Sequence, residues 1–451
     1  MKGEQNHLRK MKQRILLFPF PLQGHVTPML NLANILHSKN FSITIIHTHY
    51  NSLNPTHFPN FTFHFLQDNI PNNSALTSND LTTVFSALQV NCLKPFRECL
   101  SDILSAADTD KEHVACLISD PMWSFPGFVA QSFDLPRIVF RTGGMSAFVV
   151  YESIPLLRQK GYYPIQEAKR DEPVPELPPL KVRDLPAEVQ HDILAITVKE
   201  TKTSQAVICN TFEELEGSSI ARARNILPDN IFPIGPIHKY SQTTAVSIWE
   251  PDQTSISWLN AQAPRTVLYV SFGSIAVISE TEFLEMAWGL ANSKQPFLWV
   301  VRPGLSQGLE LDEMLPQGYV QMVGERGLIV KWAPQLEVLA HPAVGGFWTH
   351  CGWNSTVESI CEGVPMLCLP FFADQAINAR NICDCWKIGL LLQKRTREDI
   401  QKAITKLMVD EEGAEMRNRI TDLKEKAKVC LMINGSSYES MEQLTNYLSS
   451  L

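Results

Sequence analysis

The sequence predicts an α/β protein built from two doubly wound, parallel-sheet domains that face each other across a cleft. Three features carry this expectation. Short apolar runs alternate with longer amphipathic stretches, as βαβ units require. Each run stops at a polar or small residue, and open α/β sheets bind ligands just beyond the carboxyl ends of their strands. The pattern breaks at a polar stretch, 238–252, and then begins again.

In the first half, 15–20 reads as a buried strand and 21–25 as a loop. A helix follows from about Thr27 to Ser38, with Met29, Leu30, Leu32, Ala33, Ile35 and Leu36 on its apolar face. Further strands are expected at 41–46, 114–119 and 137–140. The last two end at Asp120-Pro121 and near Thr142-Gly143-Gly144. The Pro-rich, charged stretch 163–186 has little periodicity and reads as a long surface loop. In the second half, strands are expected at 266–271, 297–301, 327–330, 345–348 and 365–369, with a helix at 280–291. Helical periodicity closes the chain at 396–408, 414–430 and 438–448. The domains are therefore placed at 1–240 and 253–430, with a linker at 241–252 and a C-terminal helix, 431–451, packing back toward the first domain.

A chain of 451 residues, 44% hydrophobic and 19% charged, has ample core for such domains and excludes a largely disordered protein. Its net charge of −8 argues against a nucleic-acid partner, which needs a basic face. The apolar run 15–22 is short and holds Pro19 and Pro21, so it is read as neither a signal peptide nor a membrane span. Ten cysteines without a CxxC pair suggest reduced, buried thiols and hence a cytoplasmic location. With no HExxH motif and no Cys/His cluster, no metal site is expected.

Chemistry concentrates in the second half. His350-Cys351-Gly352-Trp353-Asn354-Ser355 follows a strand and opens a helix, with Asn354 and Ser355 as capping residues and Gly352 admitting close backbone approach. A free helix N-terminus is an anion site, and His350 offers another donor. Glu358, one turn in, would repel phosphate but can accept two hydrogen bonds from neighbouring ribose hydroxyls. Alone, the hexapeptide is equally a capped helix with a solvated glutamate. Its flanks add to it. Trp332, followed by Ala333-Pro334-Gln335, ends a strand where it can stack on a base. Asp374 and Gln375 lie between a strand and a helix, placed to hydrogen-bond sugar hydroxyls.

Taken whole, residues 332–375 resemble the signature segment of plant secondary-product UDP-glycosyltransferases, inverting enzymes of the GT-B fold. The likeness covers WAPQ, HCGWNS, Glu358 and the closing Asp374-Gln375. It implies two Rossmann-like domains, an N-terminal one for the acceptor and a C-terminal one for the UDP-sugar co-substrate, with no cofactor or metal. Trp332 would stack on uracil, with Ala333 and Gln335 beside it. His350, Gly352, Asn354 and Ser355 would contact the diphosphate, joined by Gly273 and Ser274 of the Ser271-Phe272-Gly273-Ser274 turn. Glu358 would bind the ribose, and Trp353, Asp374 and Gln375 the sugar. A final Gln usually accompanies glucose in this family.

Transfer to a hydroxyl needs a base, and histidine suits that task near neutral pH. Of twelve histidines, His25 is best placed, although a lone loop histidine is as readily structural. Gly24-His25 with Pro28-Met29 is similar to the family's catalytic loop. The resemblance makes Asp120 the orienting carboxylate; by itself, Asp-Pro also starts turns. Thr142, Gly143 and Gly144 should face the acceptor. Met122, Trp123, Met145 and Phe148 are either its apolar walls or ordinary core. The expected activity is glucosyl transfer to a hydroxyl, carboxyl or amine of a small hydrophobic plant metabolite, by a monomer that inserts in no membrane. A nucleotide-dependent oxidoreductase would need a GxGxxG turn after an early strand, and none is present. A non-catalytic UDP-sugar-binding protein would be expected were His25 or Asp120 missing.

Overall fold

The computed structural model describes residues 13–70, 81–110, 113–240, 252–305 and 314–451. These form two wholly parallel sheets. The first contains β1 (Gln13–Phe18), β2 (Ser42–Thr48), β3 (Thr62–Leu66), β4 (His113–Ser119), β5 (Arg137–Arg141), β6 (Ala206–Cys209) and β7 (Ile231–Pro233), in the order β3-β2-β1-β4-β5-β6-β7. The second contains β8 (Val267–Ser271), β9 (Phe297–Val300), β10 (Gly327–Val330), β11 (Val344–Thr349), β12 (Met366–Cys368) and β13 (Gly389–Leu391), in the order β10-β9-β8-β11-β12-β13. Most of the apolar runs read from the sequence are buried on both faces, as parallel strands under helices must be, while the edge strand β10 is only partly buried. In β1, Ile15 and Leu17 pack beneath helix Gln23–Ser38, while Leu16 and Phe18 face helix Leu81–Asp110 and Trp123.

Both sheets reverse their strand order once, between β1 and β4 in the first and between β8 and β11 in the second. At such a point the flanking crossovers leave in opposite directions and open a crevice at the carboxyl ends. The loop before His25 and the residue Asp120 leave the first switch point. The turn with Gly273 and the segment from His350 leave the second.

The last helix, Ser436–Ser450, lays Met441, Leu444 and Leu448 into the core of the first sheet beside Ile118 and Phe232. The expected linker, 241–252, lies outside the described residues except for Asp252. Two local expectations need correction. Helix Gln23–Ser38 begins four residues before Thr27, which puts His25 in its first turn rather than in a loop. The stretch 163–186 is not merely a surface loop. Val174, Leu177, Leu180, Val182 and Leu185 are buried against helix Met145–Gln159, which supplies the apolar surface that sequence periodicity could not show. Among the described residues, no helix is long and apolar enough to cross a membrane. The ten cysteines are free thiols, most of them buried.

Candidate active site

His25 Nδ1 lies 2.7 Å from Asp120 Oδ2. Asp120 is fully buried, its other oxygen accepting from the Met122 N–H at 2.9 Å, while the His25 side chain keeps 25% of its surface open. Burial works against a charged imidazole here, but the charge and hydrogen bond of Asp120 outweigh it and raise the His25 pKa. With Nδ1–H held by the carboxylate, Nε2 is left as the proton acceptor. The Thr142 hydroxyl stands 3.1 Å from His25 Nδ1.

Across the cleft, helix Trp353–Glu362 starts after Gly352, whose extended backbone makes it the N-cap. Asn354 and Ser355 are therefore first-turn residues rather than caps. Their N–H groups belong to the unpaired set that makes a helix start an anion site. His350 sits between two glycines. A Cβ on Gly273 (φ +70°) would come 2.8 Å from its ring, and one on Gly352 would come 2.4 Å from its Nε2. Burial, with a smaller push from Arg302, lowers the His350 pKa to about 4, so the ring is neutral and offers an N–H. Arg302, which sequence reasoning missed, braces the Gly273 turn through the carbonyls of Gly273, at 3.1 Å, and Ala276. A VVRP run at a strand end gave no hint of that contact.

Gln335 Nε2 donates to Ser355 Oγ at 2.9 Å and to Glu358 Oε2 at 2.7 Å, linking the turn after Trp332 to the helix start. Burial pushes Glu358 up to about 7, against the opposing pulls of Gln335 and Lys239. Gln375 turns its carbonyl oxygen onto the N–H groups of Phe371 and Phe372, at 2.8 and 3.2 Å, which leaves its amide NH2 for a ligand. Asp374 accepts from Asn378 at 3.0 Å, and burial raises its pKa. A cleft of about 500 Å³ is lined by His25, Thr142, Gly273, His350, Gly352, Asn354, Ser355, Glu358, Asp374 and Gln375, together with Ser274, Trp332, Ala333, Gln335 and Trp353.

The two halves are tied at the site itself. Pro28, within helix Gln23–Ser38, has no N–H to give the Gly24 carbonyl four residues back. That carbonyl accepts instead from Asn354 Nδ2, at 2.8 Å, across the cleft. Trp353 Nε1 donates to the Asn210 carbonyl at 2.7 Å.

The model of the UDP-glucoronosyl and UDP-glucosyl transferase family matches residues 23–425, a span that includes His25, Asp120 and the whole second-sheet site. The chain belongs to this family. UDP-glycosyltransferase 76B1 of Arabidopsis thaliana is 48% identical to it, over 98% of this chain and 99% of that one. UDP-glycosyltransferase 76G1 of Stevia rebaudiana is 43% identical over the full length of both. Among solved structures, a UDP-glucose: anthocyanidin 3-O-glucosyltransferase in complex with UDP superimposes with a TM-score of 0.85 and 28% identity, covering 98% of this chain and 99% of that one. Phytolacca americana UGT2, complexed with UDP-2fluoro-glucose and pterostilbene, gives 0.80 at 28% identity, covering 97% and 99%. The protein is thus a plant-type UDP-glycosyltransferase with the GT-B architecture.

Of the residues expected to face the acceptor in this UDP-glycosyltransferase, Met122, Thr142 and Gly143 line the cleft, as does Tyr151. Gly143 looks across at Asp374, 3.6 Å from where its Cβ would be. Four expected acceptor residues lie elsewhere. Trp123 is fully buried and stacked on Phe18 at 4.6 Å, its indole N–H bonded to the Pro19 carbonyl. Met145 and Phe148 face β6 and helix Glu213–Ala223 from the buried side of their own helix. Gly144 sits under Trp353, where a Cβ would come within 2.9 Å of the indole, so it serves the contact between the halves. Glu216 was also missed. Its buried carboxylate accepts from the N–H groups of Met145 and Ser146, both at 2.8 Å, and so caps the helix behind Thr142. Seventy residues of separation hide that cap from any local pattern. Among the described residues, no three His, Cys, Asp or Glu side chains converge as a metal-ligand group.

Proposed function

We propose that this UDP-glycosyltransferase moves glucose from UDP-glucose, with inversion, to a hydroxyl of a small hydrophobic metabolite, His25 being the general base and Asp120 its orienting partner. An amine acceptor would use the same base, whereas a carboxylate, already ionised near neutral pH, would need only to be positioned beside the anomeric carbon. The observation that carries this reading is the 2.7 Å His25–Asp120 contact, placed at one switch point opposite the anion-binding helix start of the other. The acceptor O–H gives its proton to His25 Nε2 as the oxygen bonds to the anomeric carbon. The bond from that carbon to the β-phosphate oxygen breaks, and its electron pair leaves with UDP. The imidazolium, held by Asp120, later releases the proton to solvent. The leaving charge falls on the first-turn N–H groups of helix Trp353–Glu362, the Gly273-Ser274 turn and His350.

In this reading Trp332 stacks on uracil with Ala333 beside it, and Glu358, positioned by Gln335, binds the ribose. The free amide of Gln375, with Asp374, holds glucose; the UDP-2fluoro-glucose bound to Phytolacca americana UGT2 supports that donor class. Because backbone N–H groups meet the charge, turnover should persist in EDTA. The test is recombinant protein with UDP-glucose and a panel of phenolic, terpenoid, carboxylic and amine acceptors. UDP release, together with a β-glucoside identified by its anomeric coupling in NMR, is the expected result. An α-linked product would overturn inversion, and silence over the panel with UDP still bound would overturn catalysis.

A further inference from the structure

Two arginines, Arg137 and Arg141, occupy the same face of β5, and both are buried, with 4% and 3% of their surface exposed. Arg137 is fully provided for. It pairs with Glu200 at 3.2 Å, donates to the Glu200 carbonyl at 2.7 Å, and reaches the Ser119 and Thr203 hydroxyls. Arg141 has almost nothing. Among the described residues its one hydrogen bond is a long contact to Thr201 Oγ1 at 3.4 Å, its Nε is buried without a partner, and its guanidinium lies over the Phe148 ring at 4.8 Å. Among the described residues, no carboxylate forms an ion pair with it. The nearby acids are engaged elsewhere, Asp120 by His25 and the Met122 N–H, Asp374 by Asn378. Burial lowers the Arg141 pKa, yet an arginine stays charged at any physiological pH.

A buried, unpaired guanidinium is costly unless something completes it. Arg141 lines the cleft, in a chamber whose other walls include Phe20, Phe85, Met122, Ile193 and Leu194. It is also one residue from Thr142, whose hydroxyl touches the His25 ring. We propose that Arg141 anchors an anionic group of the acceptor, so that the preferred acceptors are apolar molecules carrying a carboxylate as well as the hydroxyl that His25 deprotonates. This rests on the transferase reading and names its acceptor class. The carboxylate binds the guanidinium as a two-point hydrogen-bonded pair and does not react. The hydroxyl, at the other end of the molecule, reaches Nε2 of His25.

The experiment compares matched acceptors with UDP-glucose: 3-hydroxybenzoate, 4-hydroxybenzoate and 4-hydroxyphenylacetate, each against its uncharged amide. The wild-type kcat/KM should favour the acids, with sugar on the hydroxyl. In Arg141→Gln the acid-to-amide ratio should fall roughly 10- to 100-fold, mainly through the KM of the acids, and Arg141→Lys should recover part of it. UDP affinity and thermal unfolding of each variant report that the fold and donor site persist. Equal use of acids and amides by the wild type, or an unchanged ratio in Arg141→Gln, would overturn the anchor. So would a glucose ester as main product, because the carboxylate would then face His25. Loss of UDP binding by the wild type would instead sink the transferase reading, and this inference with it.

Discussion

As the proposed base, His25 must be neutral to take a proton, and Asp120 holds it toward the cation by raising its pKa above the ordinary 6.5. The base form therefore fills as pH rises through that raised value, and kcat/KM should climb along an acid limb lying above 6.5. Asp120→Asn removes the raising charge, so the limb should move to lower pH while the plateau falls by about 10²–10⁴-fold, since the imidazolium loses its partner. A pH–rate profile of both enzymes checks the sign; a limb that moves upward would contradict it. Glu358 gives a second titration. Its carboxyl, pushed to about 7 by burial, would accept ribose hydroxyls, as proposed, best when ionised. UDP affinity should therefore weaken as pH drops below about 7, and Glu358→Gln should flatten the dependence in calorimetry.

Short elements place these residues, and their legibility followed from how local their causes are. The hexapeptide at 350–355 was readable because a strand end, a glycine and a helix start are encoded within a few residues. The sequence places the cap at Asn354 and Ser355, two good capping residues, and only backbone geometry makes Gly352 the N-cap. The helix carrying His25 starts four residues before the expected Thr27, and within it Pro28 frees the Gly24 carbonyl for Asn354. The acceptor walls were least legible. Trp123, Met145 and Phe148 are as apolar as true lining residues, and only tertiary packing turns them inward. At this scale the Gly273 turn offers a sharp test. Its φ of +70° and the His350 ring 2.8 Å from a Cβ both oppose a side chain. Gly273→Ala should weaken UDP binding tenfold or more in calorimetry, with the far-UV circular dichroism unchanged.

On the proposed mechanism, the whole molecule works only if its two sheets hold their switch points face to face. Besides Trp353 and Asn354, the junction contains Arg380 Nε bonded to Asp184 Oδ2 at 2.7 Å, both side chains at least nine-tenths buried. Breaking one partner of a buried pair leaves a charge uncompensated, typically at a cost of about 3–5 kcal/mol. Arg380→Met should lower the denaturation midpoint markedly, and adding Asp184→Asn should restore much of it; an unshifted midpoint in Arg380→Met would show the pair to be dispensable. No part of this junction was visible in the sequence, because residues such as 184 and 380 meet only in three dimensions. The central claim is narrower: one sheet supplies the donor site and the other the base. It is tested most directly by His25→Ala, measured for UDP binding by calorimetry and for glucoside formation from UDP-glucose. The predicted result is UDP affinity within about twofold of wild type and turnover lower by roughly 10²–10⁴-fold. Near wild-type turnover would contradict it.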